Sequence, residues 1–245
     1  MVENQANSNR RVIWVTGGKG GVGKSTFSRG LLDVLLDADM KVAPFDGDPS
    51  NSQLFRHYQG VGNGVQRIEL DVQGEADALI NQMADQKADV FLVDVAAGGS
   101  QTLLDLENDI GLLSTASMLG YRVTVVSVLS RIKDSVNLLK ATLEMTADFD
   151  VDHVAVKNLY FGKENRFLLF DGSKTKQQLL DIGGIELSMP ELFDDTYELL
   201  DQLNLPFRLA VAEEGGLLMA QRTRVFKWLK QLKQEVAKAK GVLGL

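Results

Sequence analysis

Short apolar runs rich in β-branched residues recur along the chain, separated by longer stretches with apolar residues at three- and four-residue spacing. Val12-Ile13-Trp14-Val15, Lys41 to Phe45, Val90 to Val93, Val123 to Val128 and His153 to Val156 predict strands. These runs are apolar along their length rather than alternating, as expected of strands covered on both faces. Arg67 to Leu70 and Phe207 to Val211 are weaker strand expectations. Helices are predicted over Lys24 to Asp37, Glu75 to Ala84, Ile132 to Met145, Pro190 to Leu203 and Leu217 to Lys238. Alternation of this kind predicts an α/β fold, a mostly parallel sheet flanked by helices on both faces. The chain has no internal repeat and no low-complexity linker, and residues 11–245 read as one domain. Leu159 to Lys176 is polar and reads as an insertion of no derivable shape.

Hydrophobic residues make up 44% of the 245 and charged residues 24%, enough to bury a core and stay in solution. Cysteine is absent, which excludes a disulfide framework, a thiolate nucleophile, a Cys-ligated zinc and a Cys-held iron–sulfur cluster together. Met1 to Arg10 is polar, so it is expected to be a loose tail rather than a signal peptide or membrane span, and the protein to be cytoplasmic. The net charge of −7 argues against a globally basic nucleic-acid binder. The charge is unevenly spread, however. Arg222, Arg224, Lys227, Lys230, Lys233, Lys238 and Lys240 face one acid, Glu235, on a stretch whose Val225, Trp228, Leu229, Leu232 and Val236 form an apolar stripe. Such a helix either packs its stripe on the sheet or presents a docking surface, with DNA phosphates ahead of an anionic membrane.

The candidate chemistry begins where the first strand ends. Gly18-Lys19-Gly20-Gly21-Val22-Gly23-Lys24-Ser25 fits G-x-x-x-x-G-K-[ST] between a strand and a helix. Glycines let successive N–H groups turn inward around phosphates, Lys24 supplies charge to the β and γ oxygens, and the Ser25 hydroxyl ligates Mg²⁺. Thr26 adds a hydroxyl toward the α-phosphate. These residues predict a P-loop NTPase that takes ATP, is left with ADP, and works with Mg²⁺. Magnesium and a hydrolytic water need carboxylates at neighbouring strand ends, and Asp46, Asp48 and Asp94 stand there. A strand-end aspartate also serves as a cap or turn residue. Asp94, followed by Ala97-Gly98-Gly99, reads as a Walker B aspartate entering a loop that senses the γ-phosphate.

Taken together, Lys19-Gly20-Gly21-Val22-Gly23-Lys24-Ser25 and Asp46-Gly47-Asp48-Pro49 resemble the deviant Walker A and D-x-D-P motifs of ParA/MinD ATPases. The resemblance runs from about Arg11 to about Ala220, with Val211-Ala212-Glu213-Glu214 resembling the family's late adenine-side loop. It implies that Lys19 reaches across an ATP-dependent homodimer to the partner's nucleotide, that Asp48 orients the attacking water, and that Asp94 holds the magnesium shell. It also implies slow hydrolysis stimulated by a partner or cargo protein. Asp48-Pro49-Ser50-Asn51 with Phe55 and Tyr58, and Lys157-Asn158-Leu159-Tyr160-Phe161-Gly162, are most similar to the plasmid-transfer and stability branch typified by TraL and StbC. Two departures stand out: Ala96 replaces the proline after the Walker B aspartate, and Ala212 the proline before the late acidic pair.

No [NT]-K-x-D element is present to read guanine, so adenine is expected, with Asn158 reading its edge by its amide or serving as a turn residue. His57 and His153 lack metal-ligand spacing and are given no role. The expected function is an ATP-dependent dimerising switch that partitions, positions or transfers plasmid DNA or another cargo. The alternative is an ATP-dependent ligase of the dethiobiotin-synthetase or cobyrinate-amidase type, against which the extra Lys19 argues.

Overall fold

A computed structural model describes residues 9–18, 20–72 and 74–245. The elements in order are β1 (Arg11–Gly17), α1 (Lys24–Asp37), β2 (Val42–Gly47), α2 (Gln53–Tyr58), β3 (Gln66–Arg67), α3 (Asp77–Ala84), β4 (Val90–Val95), α4 (Gly99–Ile110) and α5 (Leu112–Met118). There follow β5 (Arg122–Leu129), α6 (Lys133–Met145), β6 (Val151–Asn158), α7 (Leu168–Asp171), α8 (Lys174–Asp181), β7 (Ile185–Met189), α9 (Asp194–Gln202), α10 (Phe207–Ala210) and α11 (Met219–Val236). The strands form one seven-stranded sheet in the order β3-β2-β4-β1-β5-β6-β7, with every pair parallel.

Both sheet faces are covered, which is why the strands read as unbroken apolar runs. Ile13 and Val15 of β1 point toward α1, α2, α9, α10 and α11, whereas Val12 and Trp14 point toward α3, α4 and α5. Leu129 and Ala155 join α6, α7 and α8 in a third cluster. Order reverses at β1, since the chain moves from β1 to β2 on one side and later from β4 across β1 to β5. That arrangement opens a crevice at the C-terminal ends of the central strands, where sheets of this type take ligands.

The predicted strands and helices are present, with boundaries shifted by a few residues, except in two places, and α2, α4, α5, α7, α8 and β7 are present without having been predicted. Arg67 to Leu70 contracts to the two-residue edge strand β3. Phe207 to Val211 is not a strand but the short helix α10: Pro206 precedes it, and the first two N–H groups are taken by the Tyr58 hydroxyl (3.0 Å) and the Asp33 carboxylate (2.8 Å). The insertion is held by charge. Buried Lys157 on β6 and Lys176 on α8 each pair with Asp171 (2.7 and 2.9 Å) and with Glu186 on β7. This closed set of two cations and two anions docks α7, α8 and the unpredicted strand β7 against the sheet.

The C-terminal helix packs its stripe inward. Val225, Trp228, Leu232 and Val236 are all at most 2% exposed. A Cβ on Gly30 of α1 would lie 2.3 Å from Leu232 and 2.9 Å from Trp228, so the two helices touch at a glycine. Among the described residues no helix is long and apolar enough to cross a membrane. The expected tail lies almost wholly outside the described residues.

Candidate functional site

The loop after β1 wraps onto the N-terminus of α1. Gly23 is the N-cap, with φ +98°, and supplies no side-chain cap to the first N–H groups of the helix. A left-handed cap with nothing on Cβ is required here twice over, since a Cβ would also lie 2.4 Å from Asn158 Nδ2. The result is a fourteen-residue helix whose N-cap supplies no capping side chain and whose first turn holds no acid, an arrangement that attracts an anion. Lys24 is 6% exposed beneath this loop, while Ser25 and Thr26 are half-buried. Gly18, Gly20, Gly21 and Val22 complete the turn. Lys19 lies outside the described residues.

Sheet register sets the carboxylates around the loop. Asp94 on β4 stands opposite both Val15 of β1 and Asp46 of β2. It is 1% exposed; Oδ1 accepts from Ser28 at 2.9 Å, Ser25 also donates to it, and Oδ2 has no partner among the described residues. Burial, with Asp46 nearby, pushes its pKa up to about 7 against the hydrogen bonds of Ser25 and Ser28 and the charge of Lys24. A buried carboxylate with one vacant oxygen beside a serine hydroxyl fits a hard cation. Magnesium needs only one or two such protein ligands when phosphate oxygens supply the rest, so the residues present fit the ion.

Asp46 and Asp48 have different jobs from one another. Asp46 is buried, and its two oxygens accept from the N–H groups of Asp48 (3.1 Å) and Phe55 (2.8 Å), so it clamps both ends of the loop that carries Asp48. Burial raises its pKa despite those two bonds. Asp48 is half-buried, and Oδ1 accepts from Ser50 N, Ser50 Oγ and Asn51 N at 3.1, 2.6 and 3.1 Å. Its turn therefore fixes the carboxylate in place at the crevice. The turn reading of a strand-end aspartate applies at Oδ1.

Asn158 ends β6 and is 5% exposed. Its Nδ2 donates to Val22 O at 2.9 Å and its Oδ1 accepts from Tyr160 N at 3.1 Å, so the amide braces the phosphate loop. Reading a base as well falls to the second Nδ2 hydrogen and the second Oδ1 lone pair. Sequence reasoning missed Tyr197 on α9, whose hydroxyl lies 3.0 Å from Thr26 Oγ1 and 3.5 Å from Gln53 Oε1. It also missed Arg29, buried one turn beyond Ser25 against the Phe207 ring at 4.5 Å. No local pattern marks either residue. The histidines are buried and bonded, His57 to Gln53 O (2.8 Å) and His153 to Thr146 Oγ1 (3.0 Å), and burial lowers both to about 4.

A central parallel strand, a glycine loop on an uncapped helix and a buried strand-end carboxylate define a nucleotide-binding P-loop domain. Residues 13–158 match the CobQ/CobB/MinD/ParA nucleotide binding domain, and the chain belongs to that family. It is 28% identical over 227 residues to Protein MobD of Acidithiobacillus ferrooxidans, covering 92% of this chain and 96% of that protein. Among solved structures it is similar to the septum site-determining protein MinD of Pyrococcus horikoshii, complexed with Mg-ADP, at a TM-score of 0.53 and 17% identity over 96% of this chain and 98% of that one. MinD of Aquifex aeolicus, in a MinC:MinD complex, gives 0.52 and 13% identity over 92% and 96%. At such identities the likeness concerns the fold.

Proposed function

We propose that this chain is an ATP-dependent dimerising switch that acts in partitioning, positioning or transfer of plasmid DNA or another cargo in the cytoplasm. One observation carries the reading: the uncapped α1 N-terminus with buried Lys24 lies next to Asp94, a carboxylate with a vacant oxygen. Family membership supports ATPase chemistry, and the relative named MobD together with the motifs that resemble those of TraL and StbC supports the plasmid setting.

In this reading Lys24 and the first N–H groups of α1 hold the β- and γ-phosphates, and Thr26 turns from Tyr197 toward the α-phosphate. Ser25 and Asp94 hold magnesium, which offsets phosphate charge when bound. Asp48, fixed by its turn, orients the water whose oxygen forms the new bond to the γ-phosphorus. The bond to the β–γ bridging oxygen breaks, leaving ADP and phosphate. Lys19 contacts the nucleotide of a second copy. The metabolic-ligase alternative has no use for that lysine.

A series of three variants tests the reading. Lys24→Ala should abolish ATP binding by calorimetry; Lys19→Ala should keep binding and lose ATP-dependent dimerisation by light scattering; Asp48→Ala should keep both and slow single-turnover hydrolysis by at least about a hundredfold. Unchanged ATP affinity in the first, or an unchanged dimer in the second, overturns the switch. ADP formation that requires a small carboxylate substrate would favour the ligase.

A further inference from the structure

The sheet face opposite α1 and α11 carries a groove that nucleotide chemistry leaves unused. It is a cavity of about 400 Å³ between the segment following β3 and the outer side of α4. Leu70 and Leu106, themselves nearly buried, close its floor, Val72 stands exposed at its edge, and Asp71, Asp77, Asp105 and Asp109 stand exposed around it. None of the four belongs to an ion pair among the described residues, and Asp105 accepts only from the Gln101 side chain, at 2.9 Å. Asp105 and Asp109 are four residues apart on one helix, where like charges repel.

The α3 N-terminus favours Asp77 where it stands, but Asp71, Asp105 and Asp109 gather further negative charge beside apolar side chains, and the four together are complementary to one kind of occupant. Nucleic acid and anionic lipid are repelled by the rim, and a purely apolar segment leaves the aspartates unanswered. We propose that this groove docks a basic amphipathic segment of a partner protein, with lysine or arginine side chains meeting the aspartates and two or three apolar side chains covering the floor. The site is well placed to communicate. Helix α4 begins at Gly99, five residues after Asp94, and is pinned there by Trp14 Nε1 donating to Gly99 O at 2.8 Å. A segment lying along α4 therefore contacts the helix that leads out of the phosphate-sensing loop.

The inference goes beyond the nucleotide reading and is tested without nucleotide, so each succeeds or fails separately. The probe is a dye-labelled synthetic helix of leucine and lysine at amphipathic spacing, followed by fluorescence anisotropy at low salt. Asp105→Lys/Asp109→Lys should weaken its binding by at least about tenfold. Glu191→Lys/Glu198→Lys, with the same charge change on the other sheet face, should leave it unchanged. A counterpart peptide with glutamate for lysine should not bind. If the double lysine variant melts early, Asp105→Asn/Asp109→Asn replaces it, with a smaller loss in the same direction. No binding by the unaltered protein, or equal weakening in both variants, overturns the proposal. So does salt-sensitive self-association through the basic face of α11 that the groove variant abolishes, because the occupant would then be a second copy.

Discussion

Asp94 is costly to ionise where it stands, and that cost can be measured. Its carboxyl titrates near 7 in the fold, as does that of buried Asp33 on α1, both from an ordinary value of 3.8. Between those values the folded chain keeps protons that the unfolded chain has lost, so stability falls as pH rises through that window. Asp94→Asn removes one of the two titrations. The nucleotide-free variant should exceed the parent by roughly 4 kcal/mol at pH 8, with the difference vanishing near pH 4, by urea denaturation. An equal difference at both pH values would assign the effect to something other than ionisation. The same substitution should weaken Mg-ATP binding, since the vacant oxygen is gone. In the sequence, resemblance to the D-x-D-P motif gives a role to Asp48 and none to Asp46. The physical difference between them lies in which N–H groups each one meets, Phe55 nine residues on for Asp46 and the adjacent turn for Asp48.

Helices α1 and α11 meet through Gly30, Trp228 and Leu232. In an isolated helix Gly→Ala gains about 1 kcal/mol, but here the added methyl collides with two buried side chains. Gly30→Ala should therefore destabilise by roughly 1–3 kcal/mol in urea. Stabilisation by the usual helix-propensity amount would mean that the helices part at no cost. Periodicity revealed α1, α3, α6, α9 and α11 but missed α2, α4 and α5, although Leu54, Leu103, Leu106, Leu112 and Leu113 on them also pack on the core. It missed α7, α8 and β7 as well, which are short and are held by Lys157, Lys176, Asp171 and Glu186, charges that meet only once the chain has folded. Phe207 to Val211 reads as a strand because its apolar residues are contiguous. Asp33 and Tyr58, far away in sequence, supply the acceptors that make it helical.

Across the whole molecule the charge is divided between two surfaces. Lys227 and Lys230 on α11 are exposed, while the acidic groove lies on the opposite face. The stripe of α11 is packed on the core, so a membrane meets only Leu218, Met219 and Phe226, exposed at and near the start of the helix, whereas DNA needs only the lysines. We therefore expect salt-sensitive, sequence-independent DNA binding with ATP and Mg²⁺, lost when Lys227, Lys230 and Lys233 become glutamate together. A low-salt band shift checks this: no retardation of DNA by the parent, or equal retardation by the triple variant, leaves α11 with a packing role only.

From residue order alone came what depends on near neighbours. The apolar runs marked the interior strands, the glycine–lysine–serine spacing marked the phosphate loop, and the strand ends marked Asp94, because each signal is written within a few consecutive residues. Tertiary structure decided what depends on distant ones. It turned Asn158 into a brace on Val22, brought Tyr197 to Thr26, buried the stripe of α11 against Gly30 and gathered four aspartates around one groove. Each of these contacts joins segments separated by tens of residues, and strand order brings them together where no local spacing records it.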